Sequence, residues 1–313
     1  MDIRKLFPAL ERRIYGKPLV YFDNAATAQR PLPVLELQHR MALEANGNVH
    51  RSMHKLGGDA TDLYERGREA VRSFINAPAR ENVILTSGTT ASVNLVASVF
   101  VSQFVQAGER ILVSQAEHHS NLVPWQLACQ RFGASIEVWP VDERGCLSLE
   151  YLDKVLSSSG GKIRLVAVAH ISNVLGVVNP VEEIVRIAHR HGVPVLIDGA
   201  QGVVHEKVDV TALDCDFYAF SGHKIYAPTG TGVLYGKREW LEAMPPYMGG
   251  GEMIASVSFE ETTYAPLPLK FEAGTPNFVG AACLAPALEV ARSFRDDPAV
   301  AANMAAMRDF MWR

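Results

Sequence analysis

Short β-favouring runs recur along this chain at 83–86 (VILT), 111–114 (ILVS), 136–141 (IEVWPV), 165–170 (LVAVAH), 194–197 (PVLI), 217–220 (FYAF) and 231–235 (TGVLY). Most are apolar at consecutive positions, so both faces of each strand must be covered. Between them, 90–106, 121–132, 148–157 and 180–191 repeat apolar residues at helical spacing, and Pro180 is placed to open the last of these. Doubly covered strands that alternate with helices predict an α/β domain, with a mostly parallel central sheet flanked by helices. The run 157–161 (SSSGG) reads as a flexible surface connection within that domain. Towards the end, 281–294 reads as a helix interrupted at Pro286, and 299–313 begins another.

Charge and cysteine usage narrow the class further. The 30 basic and 34 acidic residues leave a formal charge of −4, and no long basic run points to nucleic acid or a membrane surface. The charge-free stretch 82–108 is broken by Ser87, Gly88, Thr89, Thr90 and further polar residues, so it reads as strand, turn and helix and not as a membrane span. Residues 1–17 carry charges throughout and lack an apolar core, so no secretory signal is expected. The four cysteines, at 129, 146, 215 and 283, form no C-x-x-C pair, which fits reduced thiols in a cytoplasmic protein, without a disulfide framework or a metal site.

Four local signals carry chemistry. Ser221-Gly222-His223-Lys224 follows the strand 217–220, and a lysine desolvated at a strand end favours its neutral amine. Such an amine can form a Schiff base with a carbonyl, which is how pyridoxal 5'-phosphate (PLP) is held; a surface lysine in a turn is the other reading. Asp198 ends an apolar strand, where ligands bind in parallel sheets, and could face a pyridine nitrogen or cap the following helix. Ser87-Gly88-Thr89-Thr90 opens a helix, as a phosphate site or as ordinary capping. Glu117-His118-His119-Ser120-Asn121 offers an imidazole that could stack on a planar ring, or a loop histidine, or half a metal site.

The order of these signals resembles the PLP-dependent class V aminotransferase superfamily of fold type I, and within it the group II, selenocysteine lyase-like cysteine desulfurases. The stretches that carry the resemblance are Tyr21-Phe22-Asp23-Asn24-Ala25-Ala26, Asn48-Val49-His50-Arg51, Gly88-Thr89-Thr90, 117–125 (EHHSNLVPW), 170–176 (HISNVLG), Asp198-Gly199-Ala200-Gln201, 216–224 (DFYAFSGHK) and 271–277 (FEAGTPN). The resemblance implies that Lys224 carries PLP and moves protons, that Asp198 partners the ring nitrogen, and that His118 stacks on the ring and shares in catalysis. Gln201 would bond the phenolic oxygen. Thr89, Thr90, Ser221 and His223 would hold the cofactor, the last three at its phosphate. Asn173 would lie near both cofactor and substrate, with Ala25, His50 and Arg51 lining the substrate pocket. Thr275 would serve the phosphate site of a neighbouring subunit, which implies a homodimer.

The implied reaction converts L-cysteine, or selenocysteine, to L-alanine and passes sulfur as persulfide to an acceptor protein, in sulfur mobilisation for iron–sulfur clusters. Another class V reaction, a transamination or a lyase reaction, and a non-catalytic PLP-binding fragment are the alternatives. One departure stands out: the family's C-terminal Arg-x-Gly-x-x-Cys segment and the carboxylate-binding arginines near it have no counterpart here. The expected organisation is therefore an N-terminal helical segment (1–20), a PLP-binding large domain (21–290) and the start of a connection (291–313) to an absent small C-terminal domain, with desulfurase activity impaired. No persulfide-forming cysteine is assigned.

Overall fold

The computed structural model describes residues 3–51 and 53–311. Two single-turn 3-10 helices, Ile3–Leu6 and Pro8–Glu11, lead into a hairpin of β1 (Arg13–Ile14) and β2 (Lys17–Pro18). This corrects the helical segment expected over 1–20, of which the first two positions lie outside the described residues. Tyr15 (φ 51°) and Gly16 (φ 77°) turn the chain in the left-handed region, which ends any helix there.

After α1 (Leu32–Glu44) and α2 (Lys55–Phe74) the alternation begins. It runs β3 (Val83–Thr86), α3 (Thr89–Phe104), β4 (Arg110–Ser114), α4 (Val123–Phe132), β5 (Ser135–Trp139), α5 (Leu149–Ser158), β6 (Ile163–Ala169) and α6 (Val181–Arg190). It continues through β7 (Val195–Asp198), the short α7 (Gly202–His205) and α8 (Val210–Leu213), β8 (Phe217–Ser221), β9 (Gly232–Gly236) and α9 (Arg238–Ala243). These strands form one seven-stranded sheet in the order β3-β9-β8-β7-β6-β4-β5. The neighbours from β5 to β8 are parallel, and β9 runs antiparallel to both β3 and β8.

The consecutive apolar runs are explained by cores on both faces. Along β8, Phe217 and Ala219 enter the core built with Val96, Phe100 and Trp125, while Tyr218 and Phe220 enter the opposite one with Ile184 and Leu284. Alternating side chains thus find apolar cover on each side, as the strand period requires. Edge strand β5 ends at Trp139, short of the expected 141, because Pro140 has no N–H to continue a ladder. Val141 instead forms an isolated bridge with Leu147.

Beyond the sheet lie a small hairpin of β10 (Ile254–Val257) and β11 (Thr262–Tyr264), then α10 (Phe278–Ala282), α11 (Leu284–Arg295) and α12 (Pro298–Met311). The break expected at Pro286 falls instead at Cys283. Pro286 sits in the first turn of α11, where its missing N–H costs no helical hydrogen bond. No helix among the described residues is long and apolar enough to cross a membrane.

Helix α2 is bound to its surroundings by a buried ion pair and a close helix contact. The Arg68 guanidinium donates to both Glu272 oxygens (2.7 and 2.9 Å) and to the Val83 carbonyl (2.8 Å). Glu272 also accepts from Tyr64 Oη and the Leu85 N–H. At the residue just before Arg68, a Cβ on Gly67 would stand 2.1 Å from the Ala281 carbonyl oxygen of α10. Gly67→Ala is therefore expected to push α2 and α10 apart and to cost about 1–3 kcal/mol. Urea titration should show a lower midpoint with an unchanged slope. An unshifted midpoint would mean that this contact relaxes freely.

Candidate active site

In a parallel sheet the strand C-termini present free backbone groups and loops at one edge, so ligands gather there. Here those ends converge on one cavity of about 360 Å³, bordered by Ala25, Thr89, Thr90, His118, Asn173, Asp198, Gln201, Ser221, His223 and Lys224.

The N-terminus of α3 forms one wall. Gly88 precedes it at φ 148°, and a Cβ on Gly232 would lie 2.3 Å from the Gly88 Cα, so both positions need the absence of a side chain. The N-cap position is Gly88, so none of the local hydroxyls of Ser87, Thr89 and Thr90 caps this helix. Instead the Ser221 hydroxyl, at the end of β8, accepts from the Thr89 N–H (2.8 Å) and pairs with Thr89 Oγ1 (2.8 Å). Hydroxyls beside the open first turn of a helix make an anion site.

Asp198 ends β7 and is buried. Its Oδ1 accepts from the Ala200 N–H (2.9 Å), while Oδ2 has only a long contact from Ser120 Oγ (3.4 Å). It does not cap a helix, since α7 begins at Gly202. Burial raises its pKa, opposed by the Ala200 N–H and by Lys224, His118 and Ser120. Lys224 lies in the single 3-10 turn after β8 and makes no hydrogen bond or ion pair among the described residues. Burial lowers its pKa against the pull of Asp198, so it is not an ordinary surface lysine. Burial and Lys224 lower the pKa of His223 as well.

His118 stands at the start of the turn after β4. Its Nδ1 accepts from the Ser120 N–H (3.1 Å) and lies 2.7 Å from Ser120 Oγ, which leaves Nε2 to carry the proton of the neutral ring. Among the described residues no group of three or more His, Cys, Asp or Glu could hold a metal ion. The segment after the N-terminal hairpin closes over the site. Gln201 Nε2 donates to the Ala25 carbonyl (2.9 Å), Ala28 N–H to the His223 carbonyl (2.9 Å), and His223 Nδ1 meets Thr27 Oγ1 at 3.2 Å.

His50, Arg51 and Thr275 do not border this cavity. His50 pairs with Glu65 of α2 (3.1 Å) and Arg51 with Glu252 (2.8 Å), while Thr275 is exposed on the loop after Glu272. Ser120, Ala169, Ile171 and Ala200 also border it, and none of these was given a role from the sequence. Nor was Glu117, whose carboxylate sits behind His118. Burial pushes it up to about 7 against hydrogen bonds from Ser114, Asn121 and the Ala169 N–H. A short acidic residue beside two histidines gives no signal of such enclosure.

The family model described as aminotransferase class-V matches residues 20–308. The cysteine desulfurase of Cronobacter sakazakii is 49% identical over 289 residues, which cover 92% of this chain and 70% of that protein. The crystal structure of the cysteine desulfurase CsdA of Escherichia coli superposes with a TM-score of 0.84 at 42% identity, over 96% of this chain and 72% of that one. A C-DES mutant with glycine covalently linked to its PLP cofactor matches with a TM-score of 0.79 at 26% identity, over 93% and 74% of the two chains.

Proposed function

The chain belongs to the class-V aminotransferase family, among its cysteine desulfurases, and from that premise we propose that it binds PLP through Lys224 and takes sulfur from L-cysteine, leaving L-alanine. The observation that carries this reading is the meeting of a buried carboxylate, a desolvated amine and a helix N-terminus around one cavity.

The donor set fits PLP. Asp198 Oδ2, with its single long contact, is placed to accept a ring N–H, and the hydroxyls beside the α3 N-terminus suit a phosphate. When bound, PLP supplies an aldehyde that condenses with amines and a ring that draws in electrons released at the substrate Cα. Thr89, Thr90, Ser221 and His223 anchor the phosphate end. Gln201, held by the Ala25 carbonyl, and His118 would complete the cofactor's surroundings. Burial lowers the Lys224 pKa, which favours its neutral amine, and Nζ would hold the aldehyde end and accept and return a proton.

The sulfur step needs a thiolate. Free cysteine and a thiol give alanine and a persulfide: the substrate Cβ–S bond breaks, an S–S bond forms, and carbon keeps the electron pair and is protonated. Burial pushes Cys129 up to about 11 and Cys283 up to about 12, and raises Cys215 too, so these thiols are poor nucleophiles. The attacking thiolate is therefore assigned to none of these three cysteines. Thr275, exposed on its loop, is assigned to the phosphate site of a second copy in a homodimer.

The test is incubation of the PLP-loaded chain with L-cysteine and dithiothreitol, reading alanine and sulfide together. Equal amounts of both are expected. A keto acid in place of alanine would favour transamination, and absence of both alanine and sulfide would overturn the reading.

A further inference from the structure

Glu117 precedes His118, yet its carboxylate turns away from the cavity and into the ends of the sheet. One oxygen accepts from the Ala169 N–H (2.8 Å) and from Ser114 Oγ, the last residues of β6 and β4. The other accepts from Asn121 Nδ2 (2.6 Å) in the turn after His118. Asn121 is fully buried, and its Oδ1 accepts in turn from Trp125 Nε1 (3.1 Å) in the first turn of α4. One carboxylate thus joins two strand ends, the turn that carries His118 and, through Asn121, the next helix.

The consequence reaches both sides of the cavity. His118 lies between Glu117 and Ser120, so its ring is set by a loop pinned at both ends. Ala169 leads directly into residues 170–173, and Asn179 Nδ2 ties the far end of that loop back to the Ala169 carbonyl (2.8 Å). The Ala169 N–H and Asn121 Nδ2 can only donate, one to each Glu117 oxygen, so a side-chain amide in place of the carboxyl group sets its NH₂ against one of them.

Resting on the reading of a PLP site, we propose that Glu117 is a positioning residue: it holds the His118 loop and the Asn173 loop in register, and so orients the imidazole against the bound ring. Glu117→Gln keeps the shape but brings an amide NH₂ against one of the existing donors. The loop then loses at least one of its anchors, while the phosphate cradle, built on α3 and β8, stays intact.

The experiment compares wild type with Glu117→Gln in two arms. In the PLP-loaded chains, cofactor content is expected to be unchanged. The induced circular dichroism of the bound cofactor should be largely lost, and kcat should fall by up to about 10²-fold with KM nearly constant, as expected for a small misplacement of a reacting group. In the cofactor-free chains, hydrogen exchange at the Ala169 amide, which donates to Glu117, and at the Asn121 amide, which donates to the His118 carbonyl within the pinned turn, is expected to be about tenfold faster in the variant, as the loop loses an anchor. Should Glu117→Gln fail to fold, Asn121→Ala, which leaves the bonds to β4 and β6 in place, is read by the dichroism of the loaded chain and by exchange at the residue 121 amide alone. Unchanged dichroism and exchange in a folded variant would overturn the proposal. A wild-type chain that takes up no PLP would instead overturn the functional reading, and the exchange arm would still decide the role of Glu117.

Discussion

Replacing Lys224 by alanine is expected to end covalent capture of PLP and to lower turnover by about 10⁴-fold or more, because one side chain serves as both attachment point and proton carrier. The size follows from its place in the site. Lys224 makes no hydrogen bond or ion pair among the described residues, and Asp198 and His223 are the charged or titratable groups that perturb it or are perturbed by it. No second lysine borders the cavity to take over. Borohydride fixation followed by peptide mapping should label Lys224 in the wild type and nothing in the variant. A variant that keeps the same covalent label would show the assignment to be wrong.

Asp198→Asn is expected to separate turnover from binding. The phosphate cradle lies on α3 and β8, so cofactor content should change little, while loss of the anion opposite the ring nitrogen should cost about 10²–10³-fold in kcat, the scale of a preorganised electrostatic group. Stability of the cofactor-free chain should move the other way. Burial raises the Asp198 pKa in the folded chain, so its contribution to stability is present below the unfolded value, about 3.9, and is lost as pH rises through the folded one. Asparagine carries no such loss and can still accept from Ala200 and donate to Ser120. Urea titrations should therefore favour the variant more at pH 7 than at pH 4. Equal activity, or a variant less stable at pH 7 than at pH 4 relative to wild type, would contradict this role for the buried carboxylate.

Much of the site was legible because its residues sit on local signals. Asp198 ends a strand, Thr89 begins a helix, and His118 and Lys224 lie in turns that follow strands, and strand ends are readable wherever an apolar run stops at Gly, Ser or Asp. The β10–β11 hairpin was not legible for the opposite reason: its residues are mostly exposed, so no buried face imposes a period on them. The N-terminal hairpin escaped notice because its two-residue strands are exposed on both sides. Glu117 carries no pattern of its own, and its enclosure is a property of neighbours brought from elsewhere in the chain.

What the sequence determined by itself is the α/β class, since strands apolar on both faces are unstable unless helices cover them, together with the succession of hydroxyl-rich turn, imidazole, carboxylate and lysine along the chain. Only the tertiary structure decided which of these meet. Ser221 reaches Thr89 across 132 positions, Ser120 approaches Asp198 across 78, and Glu117 receives the Ala169 N–H across 52. Each pairing depends on strand order, on β9 running antiparallel between β3 and β8, and on β4 lying beside β6. Local propensity contains none of these, because strand order follows from how the whole set of apolar faces is buried at once, and that is a property of the packed sheet and not of any one segment.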